Sequence, residues 1–81
     1  MNTTRVLDFT VFFQPAIEGG YDVIVPALPG CVTQGRTLDE AKAMAEDAIR
    51  LYCESLRDDG EPIPQDRGEF VGHVQINAFP A

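Results

Sequence analysis

The side chains able to do chemistry near neutral pH are few and scattered. His73 is the only imidazole, and Ser55 has no histidine at a spacing that would activate it. Cys31 and Cys53 show neither the paired spacing of a zinc site nor a disulfide framework. The carboxylates come nearest to a constellation. Acids from a first strand, a helix and a last strand can hold two divalent cations around a phosphodiester. Asp8, then Glu46 or Asp47, then Glu69 occupy such places along this chain. The set is incomplete. Glu46 and Asp47 fall on the polar side of the helix they belong to, and the last strand offers only Glu69 at its start, followed by His73, Gln75 and Asn77. Asp8 is left as a vestigial, nuclease-like acid. There is no G-x-G-x-x-G, no P-loop and no H-E-x-x-H. No catalytic residue, metal site or cofactor is therefore expected, and binding is the expected activity.

Composition points the same way. Eighty-one residues with 44% apolar content make one small domain. Thirteen acids against six bases give a net charge of −7. Phosphate backbones are held by clustered Lys and Arg, whereas Arg5, Arg36, Lys42, Arg50, Arg57 and Arg67 are dispersed. No direct nucleic-acid contact is expected. An acidic surface would instead steer a basic protein toward it. The N-terminus lacks a charged segment followed by an apolar run, and no apolar stretch approaches the ~18 residues that span a membrane. The expected location is cytoplasmic.

The elements that must position these residues can be read from periodicity and turn chemistry. Arg5 to Gln14 reads as a strand with Leu7, Phe9, Val11 and Phe13 facing a core. Pro15 closes it, and Glu18-Gly19-Gly20 supplies a turn. Tyr21 to Val25 is a second, antiparallel strand. Pro26 ends it for want of an N–H, Leu28-Pro29-Gly30-Cys31 turns the chain, and Val32 to Gly35 forms a third strand. Thr37 and Glu40 have capping-box spacing at the start of a helix. At ~100° per residue, Ala41, Met44, Ala45, Ala48, Leu51, Tyr52 and Ser55 fall on one side, flanked by Leu38, Ile49 and Leu56. Gly60, Pro62 and Pro64 stop the helix after ~20 residues. Glu61 to Gly68 is a loop. Glu69 to Ala78 reads as a last strand, with Phe70, Gly72, Val74, Ile76 and Ala78 on one face.

The order β-β-β-α-β predicts an α+β two-layer sandwich, with one long helix on one face of a four-stranded sheet. The crossover returns strand four beside strand one, parallel to it. This order resembles the first part of a ribonuclease H fold. The other sheet face carries Thr10, Phe12, Asp22, Ile24, Val71, His73 and Gln75. Nothing from its own chain covers it, so it is a candidate partner surface.

The run Tyr21-x-Val23-x-Val25-Pro26-x-Leu28-Pro29-Gly30-Cys31-x-Thr33-Gln34-Gly35-x-Thr37-Leu38-x-Glu40-Ala41 is more specific than a strand, a turn and a strand require. With Tyr52, Leu56 and Gly60-Glu61-x-Ile63-Pro64, it resembles the N-terminal domain of the HicB antitoxin family. The resemblance covers roughly residues 5 to 78. It implies a partial ribonuclease H-like fold and an antitoxin that binds a small, basic HicA-type messenger-RNA interferase. It also implies a homodimer or larger homo-oligomer. An alternative is a stand-alone HicB-like regulatory or interaction protein without a toxin; a ribonuclease H-like nuclease is the remaining one. Many family members carry a C-terminal DNA-binding segment, whereas residues 1–81 are expected to form a single HicB-like domain without one. Ala27 and Asp66 depart from the family pattern.

Pro26 and Pro29 would hold a rigid, semi-apolar loop at the sheet edge. The partner-binding residues expected on this basis are Phe12, Tyr21, Ile24, Pro26, Leu28, Pro29, Gly30 and Cys31.

Overall fold

The computed structural model describes residues 6–79. Its elements are β1 Phe12–Pro15, β2 Tyr21–Ile24, β3 Val32–Gly35 and α1 Leu38–Asp58. The strands form one antiparallel sheet in the order β1-β2-β3, and α1 lies against β3 and β2. The α+β class and the single long helix on one face match the sequence expectation.

The first hairpin turns through Ala16 to Gly20. The Gly19 N–H donates to the Ala16 carbonyl at 3.0 Å, and the Ala16 N–H donates to the Gly20 carbonyl at 2.9 Å. Gly19 and Gly20 take φ of +101° and +76°, which residues with a Cβ rarely adopt. The register pairs Phe13 with Val23 and Val23 with Thr33, and next to them Phe12 with Ile24 and Ile24 with Val32. Successive strand residues point to opposite faces. Val23, packed with Ala41, Ala45 and Phe13, fixes the inner face. Phe12, Ile24 and Val32 therefore lie in one row on the outer face, beside Gln14, Asp22 and Gln34.

Thr37 caps the helix as its spacing predicts: its hydroxyl accepts the Glu40 N–H at 3.1 Å. The Glu40 carboxylate does not complete a capping box. It takes the Arg36 guanidinium at 3.3 Å, a charge-assisted partner in place of a neutral backbone N–H. At the other end Gly60, at φ +73°, closes a Schellman motif. The Gly60 N–H donates to Arg57 and the Glu61 N–H to Leu56.

The buried stripe of α1 is Ala41, Ala45 and Cys53, with Ala48, Ile49 and Tyr52 partly buried beside it. It is rotated from the predicted stripe, since Met44 and Leu51 are exposed. The cause lies in the sheet. Ala41 sits so close to Gly35 that a Cβ on Gly35 would overlap the Ala41 backbone nitrogen and Cα. That approach turns the small side chains inward and the larger Met44 and Leu51 outward.

Three strands differ from expectation, the second only in ending at Ile24 rather than Val25. The first is Phe12–Pro15 rather than Arg5 to Gln14, and Pro15 pairs with Tyr21 instead of closing the strand. Pro26 diverts the chain after Ile24, so residues 7–11 have no partner strand to extend the ladder. Arg5 lies outside the described residues. The sheet has three strands rather than four: residues 69–79 form no ladder, because the chain leaves the body after Gly68, which sits at φ +93°. Leu7, Phe9, Val11 and Phe13 still face the core, packing against its two buried clusters.

Gly35 is not at positive φ, so its substitution tests the close approach alone. Gly35→Ala is expected to destabilise the fold by about 1–3 kcal/mol in urea denaturation. An unchanged midpoint would show that the helix does not rest on this glycine.

Candidate functional site

The predicted site residues fall into three places. Phe12 and Ile24 are paired neighbours on the outer sheet face. Val32, which sequence reasoning did not select, completes their row and is 64% exposed. The signal for Val32 lies in the register, which the sequence does not display. Tyr21 is elsewhere, on the inner face, packed against the Val23–Ala41–Ala45 cluster.

Pro26, Leu28, Pro29, Gly30 and Cys31 form one compact double turn. The Leu28 N–H donates to the Val25 carbonyl at 3.0 Å, and the Cys31 N–H donates to the Leu28 carbonyl at 2.9 Å. The Val25 N–H reaches the Cys31 carbonyl at 3.2 Å and closes the base. Gly30 at φ +80°, after a proline that presets φ, gives the second turn its type II character. The turn points Leu28 inward, where it is fully buried with Val25, Cys31 and Cys53. From the helix, the Tyr52 hydroxyl donates to the Pro29 carbonyl at 2.8 Å. The turn is therefore stitched to α1 by a core side chain and a hydrogen bond. Only Pro29 and Gly30 are fully open to a partner, with Pro26 half-buried.

The acids do not converge. Asp8 is exposed, Glu46 pairs with Arg50 at 2.9 Å, and Glu69 accepts the Arg67 N–H at 2.9 Å. Among the described residues no three His, Cys, Asp or Glu side chains group as metal ligands. Asp66, which the sequence marks only as a departure from the family pattern, has a structural task. Asp66 accepts both the backbone N–H and the hydroxyl of Thr10, each at 2.7 Å, and so ties the segment after the helix to the segment before β1. Two charge-assisted bonds across 56 positions leave no trace in local sequence pattern.

The described surface is dominated by acids. Arg36, Arg50 and Arg57 are each engaged by a neighbouring carboxylate, which leaves the net charge of −7 little offset by free cations. No helix is long and apolar enough to cross a membrane among the described residues.

The family model described as the HicB-like antitoxin of bacterial toxin-antitoxin system matches residues 9–76. The chain belongs to the HicB-like antitoxin family. A UPF0150 protein of Thermoplasma acidophilum is 48% identical over 65 residues, covering 80% of this chain and 94% of that protein. One from Synechocystis is 37% identical over 62 residues, covering 76% and 78%. Antitoxin HicB 1 of Photorhabdus laumondii is 43% identical over 56 residues, which are 69% of this chain and 36% of that protein. In this HicB-like chain the double turn and Tyr52 act first as structure.

Three expected outcomes follow from this geometry. Leu28→Ala removes the largest fully buried side chain and should cost about 2–5 kcal/mol in chemical denaturation. A cost below 1 kcal/mol, on the same order-of-magnitude scale, would place Leu28 outside the core. Burial pushes both thiols above their ordinary 9.0, and the charge of Cys53 raises Cys31 further. The unfolded chain releases thiol protons from about pH 9, while the folded chain retains them. Stability should thus be insensitive to the thiols below that pH and fall as pH rises above it. A thiol reagent at pH 8 should react slowly until the protein is unfolded; immediate reaction of both thiols would contradict their burial.

Proposed function

We propose that this domain is an antitoxin that neutralises a small, basic HicA-type messenger-RNA interferase by binding it, without turnover of its own. The family match over residues 9–76 carries this reading. The charge of −7 supports a basic partner. On this reading both proteins act in the cytoplasm, and the sheet is the remnant of a ribonuclease H-like fold. The outer row Phe12–Ile24–Val32, with Pro26, Pro29 and Gly30 beyond its end, is the surface on which the toxin would sit. It joins an apolar centre to the polar residues Gln14, Asp22 and Gln34, the arrangement of a core and a rim.

A second reading is a HicB-like interaction protein that works without a toxin. It is favoured by the near end-to-end match to short UPF0150 proteins, such as the 94% of the Thermoplasma protein covered. The product of the adjacent gene separates the two.

Titration of that product should inhibit its ribonuclease activity and show association that slows as salt rises. Val32→Asp, at an exposed position, should weaken inhibition at least tenfold, about 1.4 kcal/mol, without lowering Tm. A basic neighbour that neither binds nor is inhibited would end the toxin reading. Full inhibition by Val32→Asp would move the interface off this face.

A further inference from the structure

The chain after Gly68 is out of keeping with the rest of the molecule. Residues 70–79 contain no Asp, Glu, Lys or Arg. Phe70, Val74, Ile76 and Phe79 are between 81% and 93% exposed. Monomeric soluble proteins rarely leave so many large apolar side chains in water on one continuous segment. The segment also stretches the molecule to 65 Å, with a radius of gyration of 16.3 Å, where a compact chain of this length has about 12 Å.

A place of matching shape and chemistry exists on the same molecule. Because α1 lies over β3 and β2, the inner side of β1 and the segment before it is half covered. A groove opens there, with Phe9, Val11 and Phe13 on one wall and Ala45 and Ile49 on the helix wall; the charged Asp8, Lys42, Glu46 and Arg50 line it too. β1 is one of the sheet's two edge strands and the one that borders this groove. Apart from the Thr10 N–H held by Asp66 and Pro15, which has none, its open backbone edge is a template for another strand. Residues 7–15 extend for about 30 Å and residues 69–79 for about 36 Å at the rise of a strand. The alternation that puts Phe70, Val74 and Ile76 on one face suits a strand laid against such an apolar wall.

We infer that residues 69–79 of one chain add as a fourth strand to the β1 edge of a second copy and fill its groove, and that the exchange is reciprocal. The occupant is a second copy because in the single chain the segment does not fill the groove: its large apolar side chains are exposed and it pairs with no strand. The Asp66–Thr10 clamp fixes where it leaves the body, and Gly68 follows at φ +93°. Reciprocal exchange closes a two-fold dimer in which every segment and every groove is used. Apart from Glu69 at its start the strand carries no Asp, Glu, Lys or Arg, so two chains, each of charge −7, can join through it with few like charges face to face.

The purified full-length protein, with no partner, is measured by light scattering coupled to size exclusion and by hydrogen exchange. The expected result is twice the chain mass with slowed exchange of amides 69–79. The double variant Val74→Asp, Ile76→Asp should run at the single-chain mass with unchanged helical circular dichroism and fast exchange in the segment. A monomeric wild-type protein overturns the inference, whether or not the segment is protected. So does a dimer whose segment exchanges freely, or a double variant that stays dimeric. None of these results involves the toxin, so inhibition assays on the same double variant judge the antitoxin reading separately.

Discussion

The backbone of α1 can reach the sheet only where side chains are small on both surfaces. Gly35 against Ala41 is such a point, and Val23 packs with Ala41 and Ala45 beside it. These positions belong to β3 and β2, so the helix is docked off-centre. Both large consequences of the architecture stem from that offset. The stripe facing the core is made of alanines and Cys53, with Met44 and Leu51 turned out. The inner side of β1 has no helix above it. A bulkier residue at position 35 would lift the helix start, and with it the N-cap that Thr37 supplies.

With alanines lining the helix, the core needs volume from elsewhere, and the double turn supplies it. Leu28 and Val23 are the largest fully buried side chains among the described residues. Leu28 reaches the core only because the backbone reverses twice within Val25–Cys31, which requires Pro29 and a glycine at positive φ. The Tyr52 bond to the Pro29 carbonyl then satisfies an acceptor the turn would otherwise present to solvent. The motif from Pro26 to Cys31 thus has a packing reason to be so specific. What it leaves at the surface is a small rigid cap, Pro29–Gly30, fixed relative to the outer sheet face, and rigidity lowers the ordering cost of binding.

How far the sequence could be read follows from which physics is local. The caps at Thr37 and Gly60, the glycine hairpin and the third strand are settled by residues within a few positions of each other, and they lie where periodicity and turn chemistry put them. The inward set Leu7, Phe9, Val11 and Phe13 was also legible, because alternation marks a face whether or not a ladder forms. Whether a ladder forms depends on a partner edge, and β-propensity is silent about that. Hence the first strand is shorter than its composition suggests, and Glu69 to Ala78 reads as a strand without pairing in the single chain. The outer row needed the register to bring in Val32. The inward turn of Leu28 and the Asp66–Thr10 clamp are tertiary facts with no periodic signature.

A core with so few large side chains is small even for a domain of this length, and such domains commonly gain stability by associating. The two unfilled apolar surfaces differ in what would complete them. The groove beside β1 has an open backbone edge, so a strand suits it, and the chain itself carries one with matching alternation and no Asp, Glu, Lys or Arg from Phe70 to Phe79. The outer row offers side chains only, bordered by Gln14, Asp22 and Gln34, which suits a folded partner rather than a strand. They lie on opposite sides of one sheet. Occupying the groove would order β1, and with it Phe12, the residue that anchors the outer row at that edge. Self-association and partner binding would then be coupled through a single strand, without either ligand touching the other's surface.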